Sequence, residues 1–364
     1  MKKLPWLVLF LAFSFVFPGI VCAEPEHETG GTVSAPQISA ETAVLMELHT
    51  GRILYEKNCT KRAYPASTTK IMTALLALEN GDPDKAVPVS ASAAGTEGSS
   101  IYLEAGETVS LRDLIYGLML RSGNDAAVAI ADAIGGDTDE FVNMMNRRAE
   151  EIGTAGTHFV NPNGLYDEQH YTTALDMALI ARTAMLNPAF REIAGAKNWK
   201  ASRAADHYND FVNKNKVVFQ YEGGTGIKIG YTTATGRTLV ASSERNGMEV
   251  ICVVMQAPDW FHDSYKLMDW AYETFEIKTI AAAEQELCSC PVRDGGGVRI
   301  RIGLRTPLRV PVKRDGSEQV ELCYDFPAEA KNPCVRWTPA GRVGLSVNGS
   351  EICRQKLYYL EDFG

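Results

Sequence analysis

The spacing of apolar residues changes several times along this chain, and each change predicts a different element. Residues 4–20 form one apolar run behind Lys2 and Lys3 and ahead of the small residue Ala23. That three-part pattern predicts a secretory signal peptide over residues 1–23, since the run is short for a bilayer span. Residues 24–37, rich in Glu, Gly, Thr and Ser, predict a flexible leader. Helix and strand periods then alternate from Ala40 to about Ile277. Residues 43–46 and 53–55, separated by His49-Thr50-Gly51, predict a hairpin. Residues 71–78 are apolar nearly all round, as in a helix buried in the middle of a domain. Residues 111–120 and 126–134 predict two more packed helices. Residues 141–152 are amphipathic, with Asp137 or Thr138 as cap and Gly153 as stop. Thr173 and Asp176 have capping-box spacing ahead of another helix. Strands are expected at 238–241 and 250–254, and a closing helix at 269–275.

After about residue 278 the period becomes two. Val298, Ile300 and Ile302 alternate with Arg299 and Arg301, and Leu308, Val310 and Val312 repeat the pattern. Val343, Leu345 and Val347 run into Asn348-Gly349, a hairpin signal. These segments predict a small all-β domain over residues 291–364. A linker at 278–290 would join it to a mixed helix-and-strand domain over residues 38–277.

Composition narrows the function classes. The 364 residues are 45% apolar and 22% charged, with a formal charge of −9. That is globular composition, and its acidic balance argues against a protein that grips nucleic-acid backbone. Past residue 23 the cysteines are Cys59, Cys252, Cys288, Cys290, Cys323, Cys334 and Cys353. An exported chain permits disulfides, so one or two bridges are expected in the C-terminal part. Cys288-Ser289-Cys290 has no histidines nearby, and His158 and His170 have no clustered partners, so no metal site is expected.

Three short segments carry the chemistry. Ser67-Thr68-Thr69-Lys70 follows Pro65 and opens the apolar helix. Serine and lysine three apart share a helix face, and a helix start favours developing negative charge. The lysine can take the serine proton only when neutral, which burial and a second cation promote. Arg121-Ser122-Gly123-Asn124 joins two apolar helices in a tight loop that presents a hydroxyl and an amide. Lys228-Ile229-Gly230 is strand-like and offers a cation beside a glycine that lets another backbone approach.

Together and in this order, the three segments resemble the penicillin-recognising serine enzymes, closest to the low-molecular-mass D-alanyl-D-alanine carboxypeptidases. The resemblance spans about residues 43–277 and includes residues 64–74, 118–127 and 157–165. The β-rich tail also resembles that family's C-terminal domain. It implies an α/β (α+β) fold of the serine β-lactamase/DD-peptidase type, with helices on an antiparallel sheet. It further implies acyl transfer on peptidoglycan stem peptides without metal or organic cofactor. Ser67 would be the nucleophile and Lys70 its base, while Ser122 would pass a proton to the leaving amine. Asn124 would orient Lys70 and the substrate amide, and Lys228 would hold the terminal carboxylate. Gly230 lies in the third motif, and the backbone N–H groups of Ser67 and Tyr231 would form the oxyanion hole. β-Lactams would acylate Ser67.

One position departs from the pattern. The third motif is usually Lys-Thr-Gly, and Ile229 cannot donate the threonine's hydrogen bond, a loss of about 1.5–3 kcal/mol. Thr232 or Thr233 is the nearest replacement. Two other readings remain. A β-lactamase would share the nucleophile, but the loop 164–173 lacks the Glu-x-x-Leu-Asn run despite containing Glu168. A catalytically idle wall-binding homologue is the reading Ile229 motivates. The protein is expected outside the cytoplasm. Residues 357–364 hold no basic amphipathic stretch, so no peripheral anchor is expected there, and membrane contact is left open.

Overall fold

The computed structural model describes residues 34–364. The expected signal peptide and residues 24–33 of the leader lie outside the described residues. Among the described residues no helix is long and apolar enough to cross a membrane.

An antiparallel five-stranded sheet organises the first two-thirds of the chain. Its order is Ile53–Lys57, Thr42–Glu47, Met248–Met255, Gly236–Arg245 and Gly224–Thr232. The first two strands are the expected hairpin, closed by Glu47, whose carboxylate accepts from the backbone N–H groups of His49 and Thr50. Every residue of the central strand Met248–Met255 is buried, as its unbroken apolar run requires when both faces are covered. One face packs against the helical part through Val44, Met46, Val240, Ile251 and Val253. The other carries Leu239, Ala241, Val250 and Val254 against the helix Trp260–Thr274. That closing helix is longer than the expected 269–275, because Trp260, Phe261 and Tyr265 also pack on the sheet.

The helices obey their caps. Asp137 accepts from Glu140 N–H ahead of Thr138–Ile152, and Gly153 ends that helix at φ 92°. Thr173 accepts from Asp176 N–H ahead of Ala174–Met185. Leu111–Tyr116 begins as an α-helix but widens into a π-turn over Gly117–Arg121, a feature frequent at functional sites.

The tail is all β and has its own apolar cluster. Five antiparallel strands run in the order Glu286–Pro291, Arg299–Gly303, Ser350–Tyr359, Pro339–Val347 and Val320–Asp325. Asn348 and Gly349, both at positive φ, turn the expected hairpin. The segment 278–290 is itself largely strand. Phe275–Ala281 pairs with Leu308–Lys313, and Glu286–Pro291 pairs with Arg299–Gly303.

The expected disulfides are absent, and all seven described cysteines are free thiols. Strand register gives the reason. Cys323 and Cys353 flank one strand but lie opposite its consecutive residues Gly344 and Leu345, which puts them on opposite faces. Cys288 and Cys290 sit two apart on a single strand.

Candidate active site

Pro65 leads into a 3₁₀ turn, Ala66–Thr69, which passes directly into the helix Lys70–Asn80. Ala66 is held at φ 48°, a left-handed conformation that turns the chain sharply before Ser67. Two glycines make room for this turn. A Cβ on Gly164 would lie 1.9 Å from Ala66 O, and one on Gly230 would lie 3.0 Å from Ser67 N and from Pro65 O. The Ser67 turn is therefore pressed between the loop 158–170 and the edge strand of the sheet.

Lys70 is completely buried at the head of its helix. Its Nζ lies 3.0 Å from Ser67 Oγ, 2.7 Å from Asn124 Oδ1 and 2.5 Å from the carbonyl oxygen of Asn163. Burial pushes this amine well below the ordinary lysine range, and the nearby ammonium groups of Lys228 and Lys214 push the same way against Asp125. Lys228, also buried, is lowered to about 7, chiefly by burial and then by Lys214. Its Nζ donates to Ile229 O at 3.1 Å.

Ser122 follows the π-turn at φ 65°, so the chain reverses there and delivers a nearly buried hydroxyl between two helices. Asn124 opens the helix Asn124–Gly135. Its Nδ2 donates to Glu97 O at 2.7 Å, which fixes the amide with Oδ1 facing Lys70. Next to it, buried Asp125 accepts from the N–H groups of Ile101 and Leu103 and from Ser100 Oγ. This clamps the loop 97–103 onto the Ser122–Asn124 corner.

The third segment lies on the edge strand Gly224–Thr232. Lys228 pairs with Val240 and faces the helical side, whereas Ile229 pairs with Leu239 and packs with the cluster under Trp260–Thr274. Tyr231 is 61% exposed at the rim. Outward peptide groups of an edge strand have no strand partner and can receive an extended ligand. Thr232 does not stand in for the missing hydroxyl. Its Oγ1 donates to Thr235 Oγ1 and accepts from Thr235 N–H.

The structure thus gathers Ser67, Lys70, Asn124, Lys228 and Gly230 around one point, with Ser122 and Tyr231 on the adjoining loop and strand. Four contributors had gone unrecognised in the sequence. The Asn163 carbonyl left no side-chain signature, although its stretch belonged to the resemblance. Asp125 follows Asn124 directly and could have been suspected as a buried acid next to the motif. Lys214 lies in an unremarkable loop. His170 is buried, its ring Nδ1 accepting from Val160 N–H at 3.0 Å and its Nε2 donating to Thr69 Oγ1 at 2.7 Å. Burial lowers it to about 4, so it is neutral and ties the loop to the nucleophile turn. Among the described residues no cluster of three or more His, Cys, Asp or Glu could hold a metal ion.

Comparison with known proteins agrees with this geometry. Residues 29–259 match a family described as D-alanyl-D-alanine carboxypeptidase, and residues 275–364 match the penicillin-binding protein 5 C-terminal domain. The chain is 35% identical to the D-alanyl-D-alanine carboxypeptidase DacF of Bacillus subtilis, covering 89% of this chain and 85% of that one. It is 31% identical to DacA of Haemophilus influenzae over 91% of this chain and 87% of that protein. Penicillin binding protein 5 from Haemophilus influenzae superposes with a TM-score of 0.76 at 30% identity, covering 91% of this chain and 99% of that one.

Proposed function

This chain belongs to the D-alanyl-D-alanine carboxypeptidase family, and from that premise we propose that it removes the terminal D-alanine of peptidoglycan stem peptides by acyl transfer at Ser67. One observation carries the reading. Besides Ser67, Lys70 Nζ contacts two groups that can only accept, Asn124 Oδ1 and the Asn163 carbonyl. A neutral amine has two N–H donors and one lone pair. In the neutral form that burial favours, with both donors taken by those carbonyls, the lone pair faces Ser67 Oγ at 3.0 Å and the serine hydroxyl becomes the donor. That is the arrangement of a general base addressing its nucleophile.

The steps follow from this arrangement. Lys70 takes the Ser67 proton as Oγ attacks the carbonyl carbon of the penultimate D-alanine. The resulting oxyanion is stabilised by the N–H groups of Ser67 and Tyr231, whose closeness is supported by the tight fit of Gly230 against Ser67 N. Ser122 relays the proton from Lys70 to the amine of the departing D-alanine. Lys70, neutral again, then takes a proton from water as the water attacks the ester carbonyl, and returns that proton to Ser67 Oγ as the acyl–oxygen bond breaks. Lys228 holds the substrate carboxylate, and its charge disfavours a second ammonium at Lys70. β-Lactams enter as carbonyl compounds of the same shape and acylate Ser67.

A β-lactamase would need a carboxylate beside the ester to activate water quickly. Asp167 and Glu168 of the loop are both exposed, and the group that loop delivers to Lys70 is a carbonyl. The signal-peptide pattern of residues 1–23 supports an enzyme acting outside the cytoplasm, on the side where peptidoglycan lies. Incubation with fluorescent penicillin and with a diacyl-lysyl-D-alanyl-D-alanine peptide tests the reading. A covalent label and released D-alanine, both lost in Ser67→Ala, are expected. Labelling that survives Ser67→Ala contradicts the assignment, label without D-alanine release indicates an idle homologue, and rapid turnover of a chromogenic cephalosporin indicates a β-lactamase.

A further inference from the structure

The all-β tail contains a cationic concavity that shares no lining residue with the site described above. Leu304, Arg305 and Thr306, in the connection between Arg299–Gly303 and Leu308–Lys313, face Gln355, Lys356 and Tyr358 of the strand Ser350–Tyr359. Together they line a surface hollow of about 360 Å³ with no carboxylate in its wall. The Arg305 guanidinium stands 5.5 Å from the ring centre of Trp337 and 5.4 Å from that of Tyr358. Those two rings meet edge to face at 6.5 Å, and Trp337 is pinned by its backbone N–H donating to Tyr359 O. Several other arginines of the tail are neutralised, as in Arg293–Glu329, Arg301–Glu361, Arg336–Glu284 and Arg354–Glu351. Arg299, Arg309 and Arg342 make no ion pair among the described residues, but they lack the two rings that flank Arg305. Among the described residues neither Arg305 nor Lys356 has an acidic partner. The chain as a whole is at −9, yet residues 278–364 carry a small excess of Lys and Arg.

Cation–π contact with two rings restrains a guanidinium and leaves its N–H fork free, so less side-chain freedom is lost when it meets a planar carboxylate. The hollow is wider than a single phosphate needs. Its Gln355 amide and Thr306 hydroxyl suit the peptide bonds beside a carboxylate. We propose that this concavity is a second, non-catalytic site that binds the free carboxylates of peptidoglycan stem peptides. It would hold the enzyme on the polymer whose chain ends the Ser67 site trims, by the gain that two linked sites have over one. The identity of the polymer rests on the function proposed above.

The test uses the purified chain, isolated peptidoglycan sacculi and the double variant Arg305→Gln/Lys356→Gln. A control, Arg309→Gln/Lys331→Gln, removes the same charge from two other exposed positions of the tail. The first variant should co-sediment with sacculi about tenfold less tightly, equivalent to about 1.4 kcal/mol, while the control is unchanged. Its D-alanine release should fall on sacculi and stay at the parent level on the soluble peptide. Fluorescent-penicillin labelling verifies that both variants are folded. Unchanged sedimentation overturns the proposal, as does an equal loss in the control. Competition by anionic phospholipid vesicles or polyphosphate, but not by soluble stem peptide, also overturns it and assigns the hollow to phosphate. If the parent binds sacculi but releases no D-alanine from the soluble peptide, the proposed activity fails and this site stands.

Discussion

Lys70 and Lys228 are both fully enclosed, and in each case burial is the larger influence and a neighbouring ammonium the smaller. The proposed mechanism asks the two for opposite states, Lys70 neutral to accept a proton and Lys228 charged to hold a carboxylate. The kcat/KM profile of the free enzyme should therefore be bell-shaped, rising as Lys70 loses its proton and falling near pH 7 as Lys228 loses its own. Lys228→Arg, always charged, should remove the alkaline limb; a limb that stays near 7 would assign it elsewhere. The same shift bears on stability. The folded value lies below the unfolded 10.5, so between about pH 7 and 10.5 the unfolded chain binds more protons. This group's contribution to stability therefore improves as pH rises through that window, and below about 7 its burial cost is felt in full. Ile229 gives a third residue-scale expectation. Ile229→Thr restores a donor on the edge strand and should raise kcat/KM for D-alanyl-D-alanine peptides by about tenfold, roughly one hydrogen bond to a charged group. No change would mean that a hydroxyl at 229, on the face packed under Trp260–Thr274, does not reach the carboxylate.

At the level of elements, the site depends on a loop pressed against a helix start. Thr73 Oγ1 donates to Pro162 O at 2.6 Å, His170 bridges Val160 and Thr69, and Gly164 lies against Ala66 O. Gly164→Ala would force the loop away at a residue already at φ 85°, taking the Asn163 carbonyl from Lys70. Acylation by penicillin should fall at least tenfold and Tm should drop by a few degrees. A normal acylation rate would show that the carbonyl is dispensable. This clasp was the part least legible in the sequence. Local signals placed the caps Asp137 and Thr173, the Asn348-Gly349 turn and the serine–lysine helix, because each depends on neighbours a few residues away. The Asn163 carbonyl, the His170 bridge and the Lys214 charge join residues as far as 144 positions apart, and pairing at that range leaves no local pattern. The closing helix was read short because Trp260 and Phe261 look like loop residues until a sheet face is there to cover.

On the scale of the whole molecule, the sheet-and-helix part and the β tail keep separate apolar clusters and meet at a part-buried ion pair. Arg52, beside the second strand, donates to Glu318 at 3.0 Å and to Pro311 O, and its guanidinium lies 5.5 Å from the Phe275 ring centre. Losing such a charged hydrogen-bonded contact costs about 1.5–3 kcal/mol. Arg52→Ala should leave the penicillin acylation rate unchanged while splitting thermal unfolding into two calorimetric transitions. A single transition at the parent temperature would show that the pair does not couple the two parts. All of the chemistry, however, depends on one amine at the centre of the larger part. Lysines labelled with ¹³C at Cε, titrated by NMR with Lys70→Arg to assign the resonance, would report its protonation directly. The structure predicts a Lys70 signal that titrates well below the ordinary lysine value. A signal titrating near 10.5 would leave Ser67 without a base and contradict the mechanism.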